Sequence, residues 1–382
     1  MGIVKNNGRR MKIGILTSSR ADFGIYSSLI KAMSCDNYFD LQLIAFGTHL
    51  SKEHGFTVTE IEESFSGKIH RVKHTMRDGN SCDISLSAGE THLAFTQFWN
   101  ENNFDLVLCL GDRYEMNAAV QASIPFGIKL AHFHGGEKTL GAFDNIYRHQ
   151  ITLASQYHFT ATDAFADRVK ELLDKNINLV FSVGSLSLSE MKDIETIDEE
   201  TFREKYQLPN KPFILSTFHP ETIGNQNVVY SEEMIAALKN ITDTHHLVLS
   251  MPNADTNGVI FRNQLKKYQA SFPNKITLVE SFGKTNYFSA LKHCEFVLGN
   301  SSSGIIEAAS FGKYVINVGE RQKGRLQSGN CINVEFNSQD ISSALRKLID
   351  NPATFSGENK YVKTDTVQKV LSTIRSIGNG EF

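Results

Sequence analysis

With 382 residues, 41% of them hydrophobic and 21% charged, the chain has the composition of an ordinary globular protein and the length of two domains. A formal charge of -3 leaves no excess of Lys and Arg to neutralise a run of phosphates, which excludes general nucleic-acid binding. The five cysteines, Cys35, Cys82, Cys109, Cys294 and Cys331, are odd in number and never spaced C-x-x-C. That argues against a disulfide framework and structural zinc, and fits a reducing, cytoplasmic setting. The apolar run Ile13 to Leu16 behind the basic start is too short for a signal peptide. No uninterrupted apolar stretch approaches the roughly 20 residues of a bilayer crossing, so neither export nor membrane insertion is expected.

In chain order, short apolar runs alternate with amphipathic segments, the pattern of parallel strands joined by helices. Strands are expected near 11–17, 39–46, 104–110, 127–132 and 156–161, with helices near 23–34, 84–102, 113–123, 144–155 and 163–174. The polar stretch 187–200, SLSEMKDIETIDEE, reads as a surface segment between domains. The alternation then restarts, with strands near 212–218, 245–251, 275–281, 294–299 and 314–318. The expected class is α/β, with two doubly wound, Rossmann-like domains at 11–186 and 187–363 and a final helix, 364–382, packing back on the first. In such folds ligands bind outside the carboxyl ends of the strands, so function belongs in the strand-to-helix loops and in the cleft between the domains.

Five of those loops concentrate polar residues: SSRADFG, GDRYE, HFHGGE, FHPET and GNSSSG. The last opens a helix, where backbone N–H groups, Ser301, Ser302 and Ser303 offer donors to a phosphate and Glu307 lies within reach of a ribose diol; a plain helix cap is the alternative. Arg321 adds a bidentate donor. Arg20 reads as a diphosphate contact and Asp22 as an acid at the sugar. Asp112 and Arg113 follow a strongly apolar strand. His132, His134 and Glu137 are candidate acid–base groups, with Gly135 and Gly136 permitting close backbone approach. Asp144 and Arg148 share a helix face, and His219 reads as a phosphate donor.

Rival chemistries lack their signatures. No G-x-G-x-x-G follows the first strand, and the second ends at Phe46-Gly47 instead of the acid that binds the ribose of NAD. His-x-His followed by Glu has no H-E-x-x-H spacing for zinc, and no G-x-S-x-G elbow is present. Neither a metal nor a redox cofactor is expected.

At these loops, TSSRADFG, GDRYE, HGGE…GAFDNIYRH, FHPET and GNSSSGIIEAASFGKYVINVGERQKGR, the chain resembles the hydrolysing UDP-N-acetylglucosamine 2-epimerase family over nearly its whole length from Met11. The resemblance implies two Rossmann-like domains of the glycosyltransferase-B-like type with the site in the interdomain cleft. It implies UDP contacts from Arg20, His219, Ser301, Ser302, Glu307 and Arg321, and assigns Arg113, Asn253, Phe282 and Gly304 to the substrate and UDP set. Asp22, Asp112, Glu137, Asp144 and Arg148 fall at the sugar end, and His49 matches a site-lining histidine. Several relatives carry glutamate where this chain has His134, which opens the choice of base and points to a different sugar preference.

The implied chemistry is elimination of UDP to a 2-acetamidoglucal, then hydration. It converts UDP-N-acetylglucosamine to N-acetylmannosamine, or alternatively UDP-2,4-diacetamido-2,4,6-trideoxyglucose to its free manno epimer. The other readings are a non-hydrolysing epimerase, a glycosyltransferase of the same architecture and a UDP-sugar sensor. The expected partners are the UDP-sugar and further copies of the chain, as a dimer or tetramer.

Overall fold

The computed structural model describes residues 9–77, 80–140, 143–174, 179–189, 191, 194–221, 226–239, 244–252 and 258–382. The chain forms two compact units. Unit 1 comprises 1–137, 144–192 and 361–382; unit 2 comprises 138–143 and 193–360.

Unit 1 runs β1 (Met11–Thr17), α1 (Arg20–Ser34), β2 (Phe39–Ala45), α2 (Val58–Ser64), β3 (Lys68–Arg71), α3 (Ser81–Glu101), β4 (Leu106–Leu110), α4 (Tyr114–Ser123), β5 (Leu130–Phe133), α5 (Asp144–Ala154), β6 (Tyr157–Thr160), α6 (Asp163–Leu172) and β7 (Val180–Ser182). Among the described residues its sheet is seven-stranded and parallel, in the order β3-β2-β1-β4-β5-β6-β7. The central strands bury both faces, as β4 (LVLCL) does at every residue, which is why they read as continuous apolar runs. One face carries α1, with Tyr26, Leu29 and Met33 in the core. The other carries α3 and α4, with Phe95, Trp99, Met116 and Val120.

Unit 2 runs α7 (Glu199–Tyr206), β8 (Phe213–Thr217), α8 (Asn227–Lys239), β9 (His246–Ser250), α9 (Gly258–Ser271), β10 (Ile276–Val279), α10 (Gly283–His293), β11 (Val297–Gly299), α11 (Ser302–Ile306), β12 (Val315–Val318), β13 (Cys331–Val334) and α12 (Ser338–Asp350). Its described strands form a six-stranded parallel sheet, in the order β10-β9-β8-β11-β12-β13. The chain then returns to unit 1, where α13 (Thr366–Gly378) places Val370, Leu371 and Ile374 in the core beside α1.

Three short edge strands, β3, β7 and β13, were outside the sequence expectation. Their residues are largely half-exposed, so they lack the apolar run that marks a central strand. The strand expected at 127–132 starts only at Leu130, because Gly127 sits at φ 64° closing a 3-10 turn over Ile124–Phe126. The stretch expected as surface from 187 is buried at its start: Ser187 and Leu188 are 7% exposed, and Ser189 Oγ lies 2.7 Å from Ser28 Oγ of α1. Polar side chains there are satisfied by a neighbouring helix instead of by water. No described helix is long and apolar enough to cross a membrane.

Candidate active site

In unit 1 the polar side chains cluster where β1, β2, β4 and β5 end. After β1, Asp22 is buried at 5% exposure in the first turn of α1; its Oδ2 accepts from the Ser18 N–H at 2.9 Å and the Ser18 hydroxyl at 2.7 Å. The same hydroxyl lies 3.4 Å from Glu115, which is fully buried and takes the Arg113 Nε–H at 2.5 Å. Tyr147 stands close to Asp144 and Glu115, and burial followed by those charges raises its phenol. Arg20, expected at the diphosphate, pairs with the exposed Glu60 of α2 at 2.7 Å.

After β4, Asp112 accepts from Arg148, a side chain of α5 that is only 1% exposed and also donates to the Glu137 carbonyl at 2.8 Å. Asp144 opens α5, half-buried. A buried ionic pair of this kind costs desolvation, and removing one partner leaves an uncompensated charge.

After β5 the chain makes the turn that carries the acid–base groups. His134 sits in the left-handed region at φ 63° and Gly136 at φ 79°. A Cβ on Gly136 would lie 2.3 Å from the Phe165 carbonyl, so glycine is obligatory there. The turn is clamped: the His134 N–H donates to Phe159 O at 3.1 Å, Arg168 donates to Gly136 O, and Arg148 to Glu137 O. His134 Nδ1 is 2.7 Å from Glu137 Oε1, and Glu137 is 2% exposed. With the carboxylate accepting, Nδ1 carries a proton, which in the neutral ring leaves the lone pair on Nε2.

Two other histidines are buried with both ring nitrogens hydrogen-bonded. His132, weighed as an acid–base group, is fully buried, and burial pushes it down to about 3. Its Nε2–H donates to Gly111 O at 2.9 Å, so Nδ1 accepts from Thr152 at 3.1 Å. That arrangement orients the backbone before Asp112. His49 lies between the Thr17 and Thr57 hydroxyls at 2.9 and 2.7 Å; burial lowers it to about 4, so it stays neutral.

In unit 2 the corresponding loops are built on Asn300, which is fully buried. Its amide grips the His219 backbone on both sides, with Oδ1 accepting the N–H at 2.7 Å and Nδ2 donating to the carbonyl at 2.8 Å. Its own carbonyl accepts from Arg321 at 3.2 Å and Gln322 at 2.9 Å. Ser301 caps the short α11, Ser302 and Ser303 are half-buried, and Ser303 Oγ is hydrogen-bonded to Tyr287. Burial, then Glu307, raises that phenol well above its ordinary value, which places Tyr287 near Glu307. Glu221, after β8, accepts the Glu320 N–H at 2.7 Å and is raised by burial.

Gly299 precedes this hub at φ 137°, where a Cβ would lie 2.0 Å from Thr217 O. Gly304 faces inward onto Val315, at 3.1 Å for an added Cβ. Phe282 is 6% exposed in a cluster with Phe202, Tyr206 and Tyr287. Asn253 lies outside the described residues. Among the described residues, no group of three or more His, Cys, Asp or Glu is placed to hold a metal.

Sequence reasoning passed over Glu115, Ser18, Tyr147, Glu221 and Tyr287. Glu115 had a legible signal, an acid inside GDRYE, but its burial depends on Ser18 and Arg113 closing around it.

Two parallel Rossmann-like units with polar strand ends define a protein of the glycosyltransferase-B-like class. A family model described as UDP-N-acetylglucosamine 2-epimerase matches residues 31–375, and the chain belongs to that family of UDP-sugar 2-epimerases. It is 32% identical over 369 residues to a UDP-N,N'-diacetylbacillosamine 2-epimerase (hydrolyzing) of Legionella pneumophila, with 96% of each chain covered. It is also 32% identical over 343 residues to a GDP/UDP-N,N'-diacetylbacillosamine 2-epimerase (hydrolyzing) of Campylobacter jejuni, covering 89% of this chain and 88% of that one. Its fold matches the UDP-GlcNAc 2-epimerase of Neisseria meningitidis bound to UDP-GlcNAc with a TM-score of 0.79 at 16% identity, covering 96% of this chain and 100% of that one.

Proposed function

We propose that the protein is a cytoplasmic, hydrolysing 2-epimerase of a UDP-activated 2-acetamido sugar, which expels UDP and releases the free sugar inverted at C2. The observation that carries this reading is the pairing of His134 with Glu137 and of Arg148 with Asp112 at adjacent strand ends. It supplies a proton acceptor and a carboxylate held in fixed geometry.

In the proposed reaction the C1–O bond to UDP breaks as His134 Nε2 takes the C2 proton, and the electron pair forms the C1=C2 bond of a glycal. Arg148 keeps Asp112 ionised, where it stabilises positive charge developing on the sugar. Asp22 and Asp144 bind sugar hydroxyls. His219, Ser301, Ser302, Glu307 and Arg321 hold UDP, with Arg321 and the N–H groups of 301–303 balancing charge on the departing diphosphate. Water then adds to C1 and a proton returns to C2 from the opposite face. The sequence is redox-neutral and needs no hydride acceptor.

For the sugar, the two relatives at 32% identity favour the 2,4-diacetamido-2,4,6-trideoxy substrate, UDP-N,N'-diacetylbacillosamine. UDP-N-acetylglucosamine is the second candidate, supported by a 26% identical Neisseria meningitidis relative named for it. Incubation with each UDP-sugar in deuterium oxide tests both points. The expected products are UDP and a free manno sugar with one deuterium at C2, formed faster from the trideoxy substrate. An epimerised sugar still attached to UDP would make the enzyme non-hydrolysing, and unchanged UDP-sugar from an active preparation would remove epimerase chemistry altogether.

A further inference from the structure

The segment 351–360 of unit 2 follows α12 without helix or strand, and its side chains are exposed apart from Phe355 and Asn359, which are half-buried. Both anchor it beside α11. The Phe355 N–H donates to Gly312 O at 2.8 Å, and its ring meets Tyr314 edge-on with centroids 5.9 Å apart. Asn359 Nδ2 donates to Ile306 O at 2.7 Å and to Ser310 Oγ at 2.6 Å, while Oδ1 accepts from Ser328 Oγ at 3.4 Å. A carbonyl can only accept, so the bond to Ile306 fixes which end of the amide faces inward.

These partners frame Glu307, which caps the C-terminus of α11 and leads into a 3-10 turn over Ala308–Phe311. A helix of five residues has too few hydrogen bonds to hold its own geometry, and the carbonyls of its last turn lack intrahelical partners. The direction of the Glu307 side chain is therefore set from outside the helix. The Glu307 N–H donates to Ser303 O at 2.8 Å and its carbonyl accepts from the Ser310 N–H at 2.9 Å. A side chain bonded to both Ile306 and Ser310 thus holds the turn on either flank of that residue. Ser328 lies in the loop between β12 and β13 that also carries Arg321. It takes the Lys360 N–H as well, at 3.2 Å, and Arg321 is held separately by Asn300 O, so that loop depends least on Asn359.

We infer that Asn359 is a positioning residue for nucleotide recognition, holding the Glu307 carboxylate where it accepts hydrogen bonds from the ribose diol of UDP. This rests on the proposed placing of UDP against Glu307. Asn359 itself touches no ligand and acts through the Ile306–Ser310 turn. Hydrogen bonds to a carboxylate depend steeply on distance and direction, so a turn released on both flanks loses them even though Glu307 is still present. Contacts to the diphosphate come from other segments and keep their geometry. The effect of losing Asn359 therefore falls on the ribose, which separates positioning from a general bracing of unit 2.

The test is calorimetric binding of UDP and of 2′,3′-dideoxy-UDP, which lacks both ribose hydroxyls, to the full chain. Wild type should bind UDP about 10-fold or more tighter than the dideoxy nucleotide. Asn359→Ala should weaken UDP about 10-fold while leaving the dideoxy nucleotide within about twofold, so that discrimination disappears. Asn359→Asp, of the same shape but without the N–H donors, should behave alike. In a Glu307→Ala background Asn359→Ala should cost nothing further, because a positioning residue acts only through the group it positions. Glu358→Ala, at an exposed neighbour, should leave discrimination intact. Should one Asn359 variant misfold by circular dichroism, the other decides, and should both misfold, Ser310→Ala decides by the same ratio. Equal weakening of both nucleotides, undiminished discrimination, or an additive loss in the Glu307→Ala background would each overturn the inference. So would a wild type that binds UDP without discriminating, since Glu307 would then not read the ribose. A folded wild type that binds no UDP at all would instead sink the UDP-sugar reading, and this inference with it.

Discussion

The two units end their parallel sheets in polar loops but handle charge in opposite ways. Unit 1 keeps ionisable groups in close pairs, Arg148 with Asp112, Arg113 with Glu115 and His134 with Glu137. Unit 2 builds its loops mainly from neutral donors, with Asn300 gripping His219, Ser301 capping α11 and Tyr287 bonding Ser303, and brings Arg321 onto a carbonyl. Moving a proton requires groups that can change charge and partners that fix their state. Recognising an anion requires donors already in position. The comparison matches the proposed roles, chemistry in unit 1 and UDP recognition in unit 2, a division that variants can break.

The largest effect is expected from Asp112→Asn. On the proposed roles it should cut turnover by about 1000-fold or more while UDP affinity, read by calorimetry, changes little. Parallel loss of rate and UDP affinity would erase the division between the units. His134→Gln should lower turnover by about 100-fold or more and slow deuterium incorporation at C2 equally. A variant nearly as active as wild type would move proton abstraction to Glu137, Asp112 or Asp22.

The converse change is Asn300→Ala or Arg321→Ala in unit 2. Each should weaken UDP binding about 10- to 100-fold, with saturated turnover reduced far less. A main effect on turnover at unchanged UDP affinity would mean that unit 2 takes part in the chemistry. UDP should also raise the melting temperature of wild type more than that of either variant.

The smallest effect concerns acid. Burial lowers His132 to about 3, and His49, His158 and His70 to about 4, all in unit 1; His246 in unit 2 is also lowered to about 4. Each is neutral when folded and has an ordinary value of about 6.5 when unfolded. The stability they contribute is therefore complete above about pH 6.5 and falls as pH drops from there towards 4 and 3. Melting temperature should decline over that window, and hydrogen exchange at about pH 5 should accelerate more in β5, β6 and the 47–50 turn than in unit 2. A flat melting profile down to about pH 4.5 would contradict the burial of these rings.

Much of the fold class is legible in the amino-acid pattern. The central strands of both sheets and the helices between them carry their signal in local periodicity, because a strand buried on both faces must be apolar throughout and a covering helix must be amphipathic. The loops holding Asp22, Asp112, His134, Glu137, His219 and Ser301 stand out because polar residues gather where apolar runs stop. Edge strands such as β3 and β13 do not, since half-exposed residues carry no such contrast.

Partner choice was decided only in three dimensions. Nothing local says that Arg148 reaches Asp112, 36 positions earlier, or that Asn300 clasps His219, 81 positions away. Sheet order makes them neighbours: β5 lies beside β4, and β11 beside β8. Burial likewise separated two histidines two residues apart. His132 is a neutral structural group inside the strand, whereas His134, turned out by its left-handed backbone, meets Glu137. The sequence by itself determined which residue types stood at the strand ends, since that follows from local pattern. Only the tertiary structure decided which of them were paired, buried or left to act, because those properties belong to the packing of distant segments.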